Sequence, residues 1–182
     1  DRVAICMQNN PEFIFACINN LMSNKFFGIA DGGDILSFAR VGLNSKYYLD
    51  SGVFGCLGVG IPYAIAASEI YKDLPVICVI GDGAFGFNAM ELDTAVRNKS
   101  NICIIISNNA AWNIETHDQR LNYGNRVYGT TLRNTNYAKM AEGLGVFSKR
   151  VENPEELEKD ISEALKNTPS VVDVITSSTV LS

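Results

Sequence analysis

The chain has 182 residues, of which 47% are hydrophobic and 19% charged, and this is enough for one globular domain with a buried core. The net charge is −5 and the basic residues are scattered along the chain, so the composition argues against nucleic-acid binding. No apolar run approaches the roughly 18–20 residues that a membrane-spanning helix needs, and we expect no membrane association.

The cysteines and the first residue indicate the setting of such a domain. The five cysteines form no CxxC pair, and this usage favours a reduced, cytoplasmic protein. The sequence begins with Asp1 and not with methionine. We therefore expect residues 1–182 to be one domain of a larger multidomain protein.

Short β-branched runs alternate with helical patterns along the whole chain. In chain order the predicted elements are helix 10–23, strand 26–30, helix 35–41, strand 47–50, helix 61–71, strand 76–80, helix 84–97, strand 102–106, helix 137–144, strand 146–151, helix 154–166 and strand 171–175. This alternation predicts an α/β fold, a doubly wound and mostly parallel sheet of about six strands with helices on both faces.

The stretch from Pro75 to Asn109 is the most informative part of the chain. The strand 76–80 ends in Gly81-Asp82-Gly83, which is followed by a helix and then by the strand 102–106. In a parallel sheet such a turn lies at the carboxyl end of the strands, where these folds bind ligands. We expect Asp82 to lie in a solvent-facing turn at this edge.

The glycines of this turn also match a dinucleotide-binding fingerprint. Gly81, Gly83 and Gly86 have the spacing GxGxxG, follow a strand and open a helix. A nicotinamide-binding dehydrogenase domain is therefore one alternative. Two features argue against it: the carboxylate of Asp82 would repel a bare pyrophosphate, and the second strand ends without the acidic residue that holds a ribose.

Asp82 and Asn109 instead offer one anionic and one neutral oxygen at the ends of two strands. Such oxygens suit a hard cation such as Mg²⁺, which takes few protein ligands and completes its octahedron with phosphate oxygens. The residues thus predict a metal-bridged diphosphate.

Three blocks of the sequence resemble thiamine diphosphate-dependent enzymes. Gly81-Asp82-Gly83 followed by Asn108-Asn109 is similar to their thiamine diphosphate-binding motif. The block 55–67 and the block 108–132 are similar to the acetolactate synthase-like and benzaldehyde lyase-like branch. The resemblance covers nearly the whole chain and corresponds to the carboxyl-terminal, diphosphate-binding domain of those enzymes.

The resemblance implies a set of site residues. The metal ligands would be Asp82, Asn109 and the backbone carbonyl of Ala111. Leu57 would hold the cofactor in a bent shape, although a core leucine is the alternative reading of this position. The cofactor-binding residues implied in all are Asp34, Ile35, Gly55, Leu57, Gly81, Gly83, Ala84, Asn109, Ala111 and Trp112.

The resemblance also implies the chemistry and the partners. Members make or break C–C bonds next to a carbonyl in 2-oxo acids, aldehydes or 2-hydroxy ketones, as synthases, lyases (2-hydroxyacyl-CoA lyase-like among them) or decarboxylases. Activation needs a pyrimidine-facing glutamate on another domain of a second chain, so a homodimer or homotetramer is expected, and the isolated piece is expected to be inactive. A non-catalytic cofactor-binding subunit is the alternative. FAD stays open, because some of these synthases carry it on a middle domain.

Two further features have no assigned role. His117 is the only histidine, and either proton transfer or a surface position is compatible with its place beside the motif. The segment 123–134 lacks periodicity and is predicted to be a long loop over the substrate. No residue of this chain is assigned as catalytic.

Overall fold

The structure is a computed structural model that describes residues 10–178. Its centre is an open sheet of six parallel strands. The strands are β1 (Phe27–Asp31), β2 (Tyr47–Leu49), β3 (Val76–Gly81), β4 (Ile102–Asn108), β5 (Phe147–Val151) and β6 (Ser170–Ile175). Their order across the sheet is β2-β1-β3-β4-β6-β5, and each neighbouring pair is parallel.

Helices cover both faces of this sheet. They are α1 (Glu12–Met22), α2 (Asp34–Gly42), α3 (Gly60–Ile70), α4 (Asp82–Asn88), α5 (Glu91–Asn98), α6 (Asn113–Asn122), α7 (Tyr137–Gly143) and α8 (Leu157–Ala164). Helices α1, α2 and α8 bury side chains on one face, whereas α3, α4, α5 and α7 do so on the other. The predicted fold class is confirmed. Within residues 10–178, no helix has the length and apolarity needed to cross a membrane.

The central strands are buried on both faces, which explains their continuous apolar runs. In β3, Val76, Cys78 and Ile80 belong to the core under α3, while Ile77 and Val79 belong to the core under α1 and α2. Alternate side chains of a strand point to opposite faces, so a strand between two helical layers needs an apolar residue at every position.

The strand order places a crevice between β1 and β3. From β1 the chain passes through α2 to β2 at one edge, and from β2 it returns through α3 to β3 on the other side of β1. Helices α2 and α3 lie on opposite faces of the sheet. The connections therefore diverge at the carboxyl ends of β1 and β3, and in doubly wound sheets ligands bind at this position.

Two local expectations are wrong. The predicted helix 84–97 is divided into α4 and α5, because the backbone between them forms tighter bonds from Leu92 N–H to Ala89 and from Asp93 N–H to Met90. Asp82 does not face solvent, since only 2% of this residue is exposed and it forms the first turn of α4.

Candidate functional site

A cavity of about 360 Å³ opens at the carboxyl ends of β1, β3 and β4. Its size lies within the range of roughly 300–1,000 Å³ that is common for small-molecule sites. All of the predicted cofactor- and metal-binding residues line it: Asp34, Ile35, Gly55, Leu57, Gly81, Asp82, Gly83, Ala84, Asn109, Ala111 and Trp112. Four separate segments of the chain therefore meet at one site, as the sequence predicts.

Asp82 presents a buried carboxylate to this cavity. Its Oδ2 atom has no hydrogen-bond partner within the described part of the chain. Burial raises the pKa of Asp82 to about 6, although the backbone N–H groups of Gly83, of Asp82 itself and of Ala110 act in the opposite direction. A buried, unpaired carboxylate oxygen has a large desolvation cost, and a bound cation would remove that cost.

The segment 109–112 folds back over Asp82. Ala110 has a φ of 54°, in the left-handed region that is unfavourable for residues with a Cβ atom. The Asn109 Oδ1 atom accepts a bond from Ala111 N–H at 3.1 Å, which closes a tight turn. This turn directs Asn109 and Ala111 toward the same cavity as Asp82.

A short antiparallel bridge holds the turn in place. Ala111 pairs with Thr131, and the N–H groups of Trp112 and Leu132 donate to the carbonyls of Thr130 and Ala110, each at 2.8 Å. The segment 123–134 thus contains no helix, as predicted, but its end is anchored to the turn formed by residues 109–112.

Gly83 and Trp112 pack the two strand ends against each other. A Cβ atom at position 83 would lie 2.6 Å from Cζ3 of the Trp112 ring, so the indole can take this place only beside a glycine. The outer edge of the same ring meets Phe87 at a centroid distance of 5.9 Å. The ends of β3 and β4 therefore form one packed unit.

Helices α2 and α6 are connected on the other side of the cavity. Asn113 Nδ2 donates to Asp34 Oδ2, which joins the first residues of the two helices. Both residues line the cavity. Asp34 is thus placed where the sequence predicts, but its carboxylate is bonded to a neighbouring amide.

Comparison with known families identifies the family of this chain. The family model described as "Thiamine pyrophosphate enzyme, C-terminal TPP binding domain" matches residues 33–174. The chain is a TPP-binding domain of this family. The resemblance found in the motifs is thereby confirmed, and TPP is another name for thiamine diphosphate.

Relatives at 29–35% identity are enzymes of two kinds. A probable acetolactate synthase of Mycobacterium bovis is 35% identical over 171 residues, which are 92% of this chain and 31% of the relative. The 2-hydroxyacyl-CoA lyase 2 of Bos taurus is 34% identical over 139 residues, 75% of this chain and 22% of the relative. The human 2-hydroxyacyl-CoA lyase 1 is 29% identical over 183 residues, 91% of this chain and 32% of the relative. The chain spans less than a third of each of these relatives.

The charges around the cavity of this TPP-binding domain are mainly negative. The charged residues that line it are Asp34, Asp82, Glu115 and Arg40. Arg40 forms a 2.8 Å ion pair with Asp50, which does not line the cavity. A diphosphate placed among three carboxylates would be repelled unless a cation lay between them. The charges of this cavity therefore fit a metal-bridged diphosphate better than a bare one.

Leu57 lies at the cavity on the glycine-rich run that precedes α3. It is half-buried and packs against the core on the α3 face, and its support of a bent cofactor stays a prediction. His117 lies on α6 and is not among the residues that line the cavity. Its Nε2 atom is buried without a hydrogen-bond partner in the described residues, and no role follows from this position.

Several polar residues in and around this site form bonds that the sequence did not predict. Asp31 is fully buried at the end of β1, and Asn113 joins α6 to α2. Asp173 on β6 accepts bonds from Asn108 Nδ2 at 2.9 Å and from Arg150 Nη1 at 2.7 Å. Asp31 lies directly before the glycines of a strand-end turn, but nothing in the local sequence indicates its burial or its bonds.

Proposed function

We propose that this TPP-binding domain holds thiamine diphosphate through Mg²⁺ within an enzyme that makes or breaks C–C bonds next to a carbonyl. The unpartnered, buried Oδ2 atom of Asp82 beside the Asn109–Ala111 turn is the observation that carries the proposal. The ligands are the Asp82 carboxylate, the Asn109 side-chain oxygen and the Ala111 carbonyl, which are hard oxygen donors.

When bound, the cofactor supplies an electron sink for the carbanion that remains after C–C cleavage. The residues of this chain bind and orient it. Asp82 and Asn109 anchor the diphosphate through the cation, and Leu57 is positioned on the cavity wall as the apolar support of a bent cofactor. The first turn of α2, which begins at Asp34, lies beside the diphosphate region and directs backbone N–H groups toward it.

An acetolactate synthase-like reaction on 2-oxo acids is the leading activity. A relative named as a probable acetolactate synthase matches at 35% identity across 92% of the chain. A 2-hydroxyacyl-CoA lyase-like reaction is the second candidate, because relatives with that name match at 29–34% identity. A benzaldehyde lyase-like reaction belongs to the same chemistry of aldehydes and 2-hydroxy ketones.

The assembly is also part of the proposal. The pyrimidine-facing glutamate would come from another domain of a second chain, in a homodimer or homotetramer. Val53 and Phe54 are 99% and 88% exposed between two glycines that line the cavity, and Phe87 is 60% exposed beside Trp112. Large apolar side chains around a cavity mouth favour coverage by another protein surface. A cytoplasmic location stays a prediction.

Calorimetric titration of the full-length protein that contains this chain tests the cofactor assignment. Thiamine diphosphate should bind in the presence of Mg²⁺ and lose most of its affinity when the metal is chelated. Asp82→Ala should remove the Mg²⁺-dependent part of the affinity, and Asn109→Ala should weaken it less because a neutral oxygen is lost. Asp73→Ala is the matched control, since this carboxylate is exposed in the loop between α3 and β3.

Two results would contradict the proposal. One is an Asp82→Ala protein that binds the cofactor as well as its parent. The other is tight NAD binding without Mg²⁺, together with no binding of thiamine diphosphate. Product formation from a 2-oxo acid by the isolated 182-residue chain would contradict only the proposed need for a second domain.

A further inference from the structure

The fully buried carboxylate of Asp31 directly precedes Gly32 and Gly33, which line the cavity, and the cofactor chemistry does not explain its presence there. It lies at the carboxyl end of β1 and is 0% exposed. No lysine or arginine within residues 10–178 forms an ion pair with it. A buried charge without a cation is costly unless hydrogen bonds compensate for it, so these bonds should identify its function.

Two hydrogen bonds join this carboxylate to the glycine-rich run before α3. Asp31 Oδ2 accepts the N–H of Gly58 at 3.0 Å and the N–H of Gly60 at 2.7 Å. One carboxylate oxygen can accept two converging donors, and a charged acceptor strengthens each bond. The residues on both sides of Val59 are therefore fixed to the end of β1.

Gly58 is also fixed from the opposite direction. Asn88 Nδ2 donates to the carbonyl of Gly58 at 2.6 Å. Gly58 has a φ of 91°, and a Cβ atom there would lie 2.6 Å from the Cβ atom of Phe87. Position 58 thus requires glycine, and its peptide groups are held by Asp31 on one side and by Asn88 on the other.

Leu57 is the residue directly before this double attachment. We propose that Asp31 is a positioning residue for the cofactor: its carboxylate fixes the peptides that follow Leu57 and so sets the height of the Leu57 side chain on the cavity wall. Asn88 on α4 holds the same segment in place, because its side chain donates to the carbonyl of Gly58. The inference rests on the proposed function, because it gives Leu57 the task of supporting a bent thiamine diphosphate.

A purely structural role for Asp31 makes a different prediction. Its carboxyl group also accepts the N–H of Gly60, the first residue of α3, and this bond contributes to the stability of the start of that helix. Loss of that interaction would lower the stability of the protein but would leave the shape of a bound cofactor unchanged. A readout of the bound cofactor therefore separates the two roles.

The test uses the full-length protein loaded with thiamine diphosphate and Mg²⁺. The readout is the rate at which the thiazolium C2 proton exchanges in D₂O, followed by NMR after acid quenching, because this proton is lost faster when the cofactor's own amino group is held close to it. Asp31→Ala should slow the exchange about tenfold or more. Calorimetric affinity for Mg²⁺-thiamine diphosphate should change much less, since Asp82 and Asn109 are untouched.

Two further variants determine whether Asp31 acts through Leu57. Asp31→Asn keeps an oxygen that accepts both N–H groups and should restore most of the exchange rate. Leu57→Ala should slow the exchange as Asp31→Ala does, and the double variant should be no slower than the slower single one. Additive losses in the double variant would overturn the inference.

Failure of this inference and failure of the proposed function give different results. A parent protein that binds no thiamine diphosphate with Mg²⁺ ends both. A parent that binds it while Asp31→Ala exchanges at the parental rate ends only the role of Asp31. Should Asp31→Ala fail to fold, Asn88→Ala decides, because Asn88 is exposed and its removal should still slow the exchange; a parental rate in that variant overturns the inference.

Discussion

Replacing Arg150 by methionine should destabilise the fold strongly, although Arg150 lies outside the cavity lining. Its Nη1 atom bonds Asp173 Oδ2 at 2.7 Å, and the Asp173 side chain is 0% exposed. Removal of one partner leaves a buried carboxylate with only two donors, Asn108 Nδ2 at 2.9 Å and Tyr137 N–H at 3.0 Å. Breaking a buried ion pair costs about 3–5 kcal/mol, and the surviving donors place this case at about 3 kcal/mol.

The effect is measured by urea unfolding and by thermal melting. A domain of about 150–250 residues loses about 2–4 °C in Tm for each kcal/mol, so Arg150→Met should lower the Tm by about 6–12 °C. Arg97→Met is the matched control, because Arg97 forms an i,i+4 ion pair with Asp93 in which both side chains are more than half exposed. The control should lose about 0.3–0.5 kcal/mol.

A double variant tests the reasoning behind this magnitude. Arg150→Met combined with Asp173→Asn removes both charges and should be more stable than Arg150→Met alone, since no uncompensated carboxylate remains buried. If Arg150→Met loses no more stability than Arg97→Met, or if the double variant is less stable than Arg150→Met, the ion pair between Arg150 and Asp173 does not stabilise the fold.

The remaining predictions concern the site. Gly83→Ala should lower both the Tm and the affinity for Mg²⁺-thiamine diphosphate, because its Cβ atom would meet the Trp112 ring at 2.6 Å; parental affinity in calorimetry would show that the ring moves aside freely. Ala110→Gly should raise the free energy of unfolding by up to about 1 kcal/mol, since a left-handed residue with a Cβ atom is strained; a loss of stability in urea unfolding would contradict this. Burial raises the pKa of Asp31, so the folded chain retains this proton to a higher pH than the unfolded chain does. Without cofactor, the stability that Asp31 contributes should be complete below about pH 4 and decline as the pH rises through its raised pKa. In Asp31→Asn, the free energy of unfolding should no longer fall over this pH range. If its pH dependence is the same as in the parent, Asp31 does not have the raised pKa.

The sequence predicts most of the fold, and the meeting of the two proposed metal ligands at one cavity, for a simple physical reason. Strands that are buried on both faces have continuous apolar runs, and residues at the carboxyl ends of neighbouring parallel strands must meet. Asp82 and Asn109 directly follow the core runs of β3 and β4, and they line the same cavity. The apolar pattern of the two strands and their parallel pairing were therefore sufficient to predict that Asp82 and Asn109 lie close together.

Contacts between distant segments could not be predicted in the same way. Asn108 and Asp173 are 65 positions apart, and Arg150 and Asp173 are 23 apart, so no local pattern in the sequence indicates that these residues pair. The burial of Asp82 was missed for the same reason. A short Gly-Asp-Gly turn has the composition of an exposed turn, but a segment from the next strand end folds over it.

The position of the indole has a practical consequence. Trp112 is the only tryptophan of the 182 residues, and it forms part of the cavity wall against Gly83. Tryptophan fluorescence of this chain, excited at the red edge of the absorption band, therefore originates at the site alone. Titration with Mg²⁺ and thiamine diphosphate can be followed through this emission without a label, and binding to either strand end changes the surroundings of the same fluorophore.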